Sequence, residues 1–142
     1  MTTIDDTESE LIDEFQLLDG WMDRYQYLID LGRRLPELDV ADKLDENRLA
    51  GCQSQVWLAS EYRDGRVHFR AASDAAIVSG LIALLMRIYD ERTPAEIIAT
   101  EPRFVRELAF DEHLSPTRSN GLAAMLAAIK QHAAGYLNAP AA

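Results

Sequence analysis

The sequence predicts an α+β fold in which a small antiparallel sheet of about three strands is flanked by helices. Apolar residues recur at helical spacing before residue 36 and after residue 73. Between these regions, residues 55–62 and 66–71 alternate in polarity, and the hairpin-turn dipeptide Asp64-Gly65 separates them. An order of helices, then strands, then helices is typical of an α+β domain.

Two helices are expected before the sheet. The first begins near Ser9 and is broken by Gly20. The second begins at Trp21 and ends near Leu35-Pro36, because the residue before a proline is biased away from the helical conformation. The apolar residues that define these helices are Leu11, Ile12, Phe15 and Leu18 in the first, and Trp21, Tyr25, Leu28 and Leu31 in the second.

A third strand is expected just before the hairpin. Residues 37–47 are polar and form an exposed connection. Residues 47–50 then begin as a short strand, and the chain becomes a loop at Gly51. Cys52 is therefore expected on the loop that leads into the hairpin.

Capping signals predict the helices that follow the sheet. Ser73 or Asp74 is expected to cap the first of them. The run Thr93-Pro94-Ala95-Glu96 has the capping box and the first-turn proline of the next helix. A short helix is expected over residues 103–109, and Ser115-Pro116 begins the last helix.

Length and charge exclude several classes of protein. A chain of 142 residues fits one domain, residues 1–142, with residues 1–8 and 138–142 expected to fray. Lys and Arg number 14 and Asp and Glu 24, and the resulting net charge of −10 disfavours nucleic-acid binding. No apolar run approaches the ~20 residues of a membrane span, and no secretory signal is visible, so a cytoplasmic protein is expected.

The sequence contains one cysteine, Cys52. A single cysteine excludes an internal disulfide, a Cys-x-x-Cys pair and a multi-cysteine metal or cluster site. A lone cysteine is ordinarily a small buried apolar residue. Its neighbours Gly51, Gln53 and Ser54 are instead typical of a loop, where a thiolate can act as a nucleophile.

Two further residues are candidates for chemistry at Cys52. His113 is the histidine whose position suits a general base, so a cysteine hydrolase is one alternative. Arg118 falls in the first turn of the last helix, where a cation opposes the helix dipole. This placement makes Arg118 a candidate to stabilise a thiolate or persulfide anion, the alternative being an ordinary solvated arginine. No His and Cys residues have metal-ligand spacing, so no metal is expected in this chain.

Four segments in order along the chain resemble the SufE family of sulfur acceptors, which includes the CsdE proteins. Gly51-Cys52-Gln53-Ser54-Gln55-Val56-Trp57 looks like the active-site motif of that family. Residues 31–38, 73–83 and 114–122 are similar to the family's segments before the active-site loop, at the central helix and at the start of the final helix. The resemblance covers roughly residues 10–135, and four ordered segments are more specific than one short motif.

The resemblance implies both a fold and a function. SufE-like proteins have a small antiparallel sheet flanked by helices, similar to the IscU scaffold. They accept sulfur from a PLP-dependent cysteine desulfurase of the SufS/CsdA type, stimulate that enzyme, and pass the sulfur toward iron–sulfur cluster assembly. The resemblance therefore implies that the PLP belongs to the desulfurase and that this chain holds no cofactor. The downstream partner would be an iron–sulfur scaffold or another sulfur acceptor. A homodimer of this chain is also compatible with the sequence.

The resemblance also implies roles for individual residues. Cys52 matches the acceptor cysteine, and Arg118 matches an arginine that lies near it. The residues that match positions for docking or loop positioning are Gly51, Gln53, Ser73 and Asp74. Ala72 stands where the family commonly has an acid, which puts in doubt any anchoring role of that position.

A persulfide carrier needs one nucleophile and no second thiol. The Cys52 thiolate would attack the outer sulfur of the desulfurase persulfide, by the displacement used in thiol–disulfide exchange. A nearby second cysteine would release sulfide and leave a disulfide, so a single cysteine suits a carrier. We expect the Cys52 side chain to rest against apolar residues. The remaining alternative is an activator of the desulfurase that carries no sulfur; both are accessory roles rather than those of a stand-alone enzyme.

Overall fold

The computed structural model describes residues 3–49 and 54–137, and within them the predicted α+β class is confirmed. Two 3₁₀ turns, Val40–Asp42 and Asp45–Asn47, precede the hairpin. The helices and strands, in chain order, are α1 (Ile4–Gln16), α2 (Trp21–Arg33), β1 (Val56–Arg63), β2 (Arg66–Ser73), α3 (Ala76–Tyr89), α4 (Pro94–Ala99), α5 (Phe104–Glu107), α6 (Phe110–His113) and α7 (Pro116–Tyr136).

Helix α1 begins at Ile4 rather than near Ser9, so the expectation that residues 4–8 fray is wrong. Thr3 forms a capping box, in which its hydroxyl accepts the N–H of Asp6 at 3.0 Å and the Asp6 carboxylate accepts the N–H of Thr3 at 3.3 Å. The side chain of Glu8 is buried and accepts the N–H of Phe104 at 3.0 Å. Burial raises the pKa of this carboxyl group. The first turn of α1 is therefore held by contacts to the rest of the domain.

Helices α2 and α3 approach each other closely at two glycines. A Cβ atom built on Gly80 would lie 2.6 Å from the carbonyl carbon of Leu28, and one built on Gly32 would lie 2.7 Å from the nitrogen of Gly80. No side chain fits at such distances. The absence of a Cβ atom at these two positions therefore permits the backbones to approach and fixes α3 against α2.

The predicted hairpin is confirmed in its strands and in the position of its turn. β1 and β2 pair antiparallel, from Val56 opposite Ser73 to Arg63 opposite Arg66. Both turn residues have positive φ, 56° for Asp64 and 76° for Gly65, as a type I′ turn requires. The Asp-Gly dipeptide therefore closes the hairpin with the twist that its strands need.

The sheet has two strands within the described residues, not about three. The predicted third strand began at Asn47, but Asp45–Asn47 forms a 3₁₀ turn. Arg48 then makes a single isolated bridge with Trp57. Because the turn uses the residues that would extend the pairing, a bridge forms in place of a strand.

After α3, the predicted caps of α4 and α7 are confirmed, and the helix predicted between them is corrected. Thr93 and Glu96 form the expected capping box, and Ser115 accepts the N–H of Arg118 at 3.3 Å. The short helix expected over residues 103–109 is instead two helices, α5 and α6, which Ala109 separates with a left-handed φ of 59°. Among the described helices, none is long and apolar enough to cross a membrane.

The core lies between the inner face of the hairpin and the surrounding helices. Helix α7 is joined to β1 by a half-buried polar cluster, in which the Ser60 hydroxyl lies 2.5 Å from Nδ1 of His132 and 3.1 Å from the Tyr136 hydroxyl. Burial lowers the pKa of His132. The fully buried large side chains are Phe15, Leu11, Leu28, Leu81, Ile82, Leu84, Leu85, Ile88, Tyr89, Ile97, Phe104 and Phe110.

Replacement of Gly80 should show how much the fold depends on the contact between α2 and α3. We expect Gly80→Ala to reduce the free energy of unfolding by about 1–3 kcal/mol, the cost of overpacking a tight site. Gly135→Ala is the matched control, because Gly135 is also helical but has open space around its Cβ position. That variant should gain about 0.5–1 kcal/mol, since alanine favours helix over glycine. Urea denaturation measures both, and equal effects of the two substitutions would contradict the close approach.

Candidate functional site

The centre of the predicted site lies outside the described residues. Gly51, Cys52 and Gln53 all fall between residues 49 and 54. The structure describes the chain on both sides of this segment, at Leu49 and Ser54. The site is therefore built from its two flanks and from the elements that contact them.

The two flanks of segment 50–53 are held side by side on β1. The N–H of Leu49 donates to the carbonyl of Val56 at 2.9 Å, and Arg48 bridges to Trp57. On the other flank, Gln55 is bonded to Asp74, as described below. We call Leu49, Gln55, Val56 and Asp74 the junction. These bonds fix Leu49 and Gln55, which lie on the two sides of segment 50–53, against the start of the hairpin.

Asp74 contacts the backbone of Gln55 in both directions. Its carboxylate accepts the N–H of Gln55 at 3.0 Å, and its own N–H donates to the carbonyl of Gln55 at 3.3 Å. The expectation that Ser73 or Asp74 caps α3 is wrong, since the N-cap is Ala75 and no side chain caps the helix. The reason is that the Asp74 carboxylate is bonded to Gln55, while the Ser73 hydroxyl accepts the N–H of Ala75 at 3.2 Å.

A small cleft lies beside Ser54. It holds about 30 Å³, room for roughly two water-sized groups. Its lining is mostly apolar, with Thr117 and Arg118 as exposed polar members. The described residues that line it are Ser54, Val56, Val78, Leu81, Thr117, Arg118, Gly121, Leu122 and Met125. The cleft is thus formed where the start of β1 meets α3 and α7.

Arg118 is the charged residue among those that line this cleft. Its backbone N–H donates to the Ser115 cap, which places the residue in the first turn of α7. Its guanidinium makes no ion pair or hydrogen bond with any of the described residues. The structure therefore places Arg118 and Ser54 on one cleft, with the cation available to an anion.

A second, smaller cavity lies next to the junction. It holds about 10 Å³ and its lining is entirely apolar, including Leu49, Val56, Leu58, Met86 and Met125. Val56 and Met125 line both this cavity and the cleft beside Ser54. The junction is thus bordered by apolar side chains on two sides.

His113 does not take part in this arrangement. Its ring stacks on Trp21, with the ring centroids 4.2 Å apart, and its carbonyl accepts the Tyr25 hydroxyl. No histidine occurs among the described residues that line the cleft. Residues 3–49 and 54–137 also hold no group of three or more His, Asp or Glu side chains that could bind a metal ion.

Two features of the site have no signal in the sequence. The bond between Gln55 and Asp74 joins residues 19 positions apart, so no local pattern indicates it. Ala72 pairs with Trp57 across the hairpin, and the Trp57 ring has the ammonium of Lys43 5.5 Å from its centroid. Ala72 thus lies beside the contact between Lys43 and Trp57. Its methyl group is uncharged, whereas an acid at this position would carry a negative charge.

The chain is similar to known proteins over nearly its whole length. The family model described as "SufE: Fe-S metabolism associated domain" matches residues 9–133. Among solved structures, the chain is similar to the solution structure of a hypothetical protein from Thermus thermophilus. The TM-score is 0.77 at 21% sequence identity, over 94% of this chain and 97% of that one. At this identity the structural match supports the fold alone.

Removal of the Asp74 carboxylate should loosen the junction. We expect Asp74→Ala to speed hydrogen exchange at the Gln55 amide and to lower the free energy of unfolding by about 1 kcal/mol, the usual contribution of one hydrogen bond. Asp74→Asn keeps an acceptor oxygen and should retain most of the protection. Asp39→Ala is the control, because its side chain makes no bond with the described residues. Unchanged exchange at Gln55 in Asp74→Ala would show that the bond does not hold the junction.

Proposed function

The chain belongs to the SufE family, whose domain is associated with iron–sulfur metabolism, and from this we propose its function. It accepts sulfur at Cys52 from a PLP-dependent cysteine desulfurase of the SufS/CsdA type. It then passes that sulfur to an iron–sulfur scaffold or another acceptor. The PLP is carried by the desulfurase, and this chain supplies the thiol.

The observation that carries the proposal is the cleft beside Ser54. Cys52 is two residues from Ser54, so chain connectivity keeps their Cα atoms within about 7.6 Å, two steps of about 3.80 Å. Among its described lining residues the cleft is apolar apart from Ser54, Thr117 and Arg118, and its volume of about 30 Å³ can hold a group as small as a sulfur atom. A persulfide needs such shelter, since reductants and oxidants destroy it.

The transfer is a displacement at sulfur. The Cys52 thiolate attacks the outer sulfur of the desulfurase persulfide, a new S–S bond forms at Cys52, and the old one breaks. The desulfurase cysteine leaves as a thiolate, so charge and electrons balance without an oxidant. Arg118 lines the same cleft and its guanidinium has no partner among the described residues, so we assign to it the support of the attacking thiolate and of the product anion.

Stimulation of the desulfurase follows from the same step. Each transfer removes sulfur from the desulfurase and returns its cysteine for another turnover. The single cysteine of the chain also protects the product, because no second thiol is present to attack the persulfide. A reducing cytoplasm is the compartment that keeps the Cys52 thiol free to accept sulfur. A net charge of −10 argues against a nucleic-acid partner.

The two alternatives differ in the support they receive. A cysteine hydrolase needs a base beside the thiol, and His113 is instead stacked on Trp21 at 4.2 Å. A desulfurase activator that carries no sulfur would bind the same enzyme, so only the fate of the sulfur separates it from a carrier.

Replacement of the thiol separates a carrier from an activator. The variant is incubated with a desulfurase and with cysteine whose sulfur atom is radiolabelled. Cys52→Ser should accept no labelled sulfur and should not increase the turnover rate of the desulfurase. Wild-type protein alkylated before the assay is the matched control, since Cys52 is its only cysteine. It should behave like the variant. Stimulation retained by both would favour the activator that carries no sulfur.

Replacement of Arg118 tests its support of the anion. We expect Arg118→Ala to slow alkylation of Cys52 at neutral pH by about two- to fivefold, the size of an exposed charge interaction. The apparent pKa of the thiol should rise, because the anion loses a cation. Arg63→Ala is the control, as Arg63 lies at the hairpin turn, about 23 Å along β1 from Val56. Identical pH–rate profiles for wild type and Arg118→Ala would exclude this role.

A further inference from the structure

A groove between α7 and the α5–α6 segment is separate from the cleft beside Ser54, although Leu122 lines both. Its inner part is an apolar hollow of about 270 Å³. This is just below the roughly 300–1,000 Å³ typical of pockets for drug-sized ligands. The hollow therefore suits a molecule of about amino-acid size. The main apolar side chains of its lining are Leu85, Val105, Phe110, Leu114, Leu122 and Leu126.

The outer part of the groove is charged. It shares Pro102, Val105, Asp111 and Leu126 with the hollow and adds four charged residues, Glu101, Arg103, Arg106 and Glu107. Two ion pairs use most of these charges: Arg103 contacts Glu107 at 3.3 Å, and Glu101 pairs with Lys130.

One cation and one anion are left over at the groove. The side chains of Arg106 and Asp111 are exposed, and neither makes an ion pair or a hydrogen bond with the described residues. Arg106 lies on α5 and Asp111 on α6, and the left-handed residue Ala109 separates the two helices. Arg106 lines only the outer part of the groove, whereas Asp111 lines both the outer part and the hollow. The groove thus offers one cation and one anion, with the anion at the hollow itself.

We propose that this groove binds a free α-amino acid with an apolar side chain. The guanidinium of Arg106 binds the carboxylate, a pairing that Arg can make with two parallel hydrogen bonds. Asp111 binds the ammonium group, and the side chain enters the hollow. A free amino acid has its carboxylate and its ammonium group attached to the same carbon. An internal peptide residue carries neither, and a peptide terminus carries only one.

Ligands that lack one charge test the recognition. We expect L-leucine to bind saturably in calorimetry and to shift backbone amide resonances of residues 102–111 and 119–126. N-acetyl-leucine lacks the ammonium and leucinamide lacks the carboxylate, so each should bind at least tenfold more weakly. No saturable binding of leucine up to its solubility limit would overturn the proposal. Equal affinity for leucine and either derivative would overturn it as well.

Variants test the same site from the protein side. Arg106→Gln and Asp111→Asn should each weaken leucine binding at least tenfold, whereas Glu112→Gln, an exposed carboxylate on α6 that does not line the groove, should not. Ala123→Phe should block the hollow, and Ala127→Phe, exposed on the same helix but outside the lining, should leave binding intact. Unchanged affinity in the first two variants would overturn the assignment. Circular dichroism confirms folding, and sulfur transfer at Cys52 gives an independent readout.

Discussion

The paired hydrogen bonds between Gln55 and Asp74 are the contact on which the candidate site depends. They join the chain just after segment 50–53 to the end of β2, at 3.0 and 3.3 Å. The Leu49–Val56 bond holds the preceding flank on the same strand. α3 follows directly after Asp74, and the Gly32–Gly80 approach fixes α3 against α2. The flanks of segment 50–53 are thus tied to the core through two glycines and one carboxylate.

The chemistry of the site follows from charge and size. An acidic protein, with net charge −10, places an arginine that has no partner among the described residues on a cleft that is otherwise largely apolar. The apolar walls would limit the access of water and reductants, and the cation would favour an anionic sulfur. The cleft and its arginine are therefore the features on which the proposed acceptance of sulfur at Cys52 depends.

Local signals in the sequence predicted most of the fold. Asp64-Gly65, the Thr93 capping box and Ser115 each determine structure within a few residues, and each is as predicted. Two errors had local causes, the 3₁₀ turn Asp45–Asn47 and the left-handed Ala109, and the others arose where a distant partner decides the outcome. Asp74 is a good helix cap by local preference, but its carboxylate is bonded to Gln55. The cleft was likewise invisible in the sequence, because the start of β1, α3 and α7 meet only in the folded chain, although helix position and the family resemblance had both indicated Arg118.

The mass of the peptide that contains Cys52 tests the proposed acceptance of sulfur most directly. The pure protein is incubated with a desulfurase, PLP and cysteine, then digested without reductant. If Cys52 accepts sulfur, that peptide gains one sulfur atom, and later reduction removes the gain. A Cys52 peptide that keeps its original mass beside a fully active desulfurase would exclude Cys52 as the acceptor.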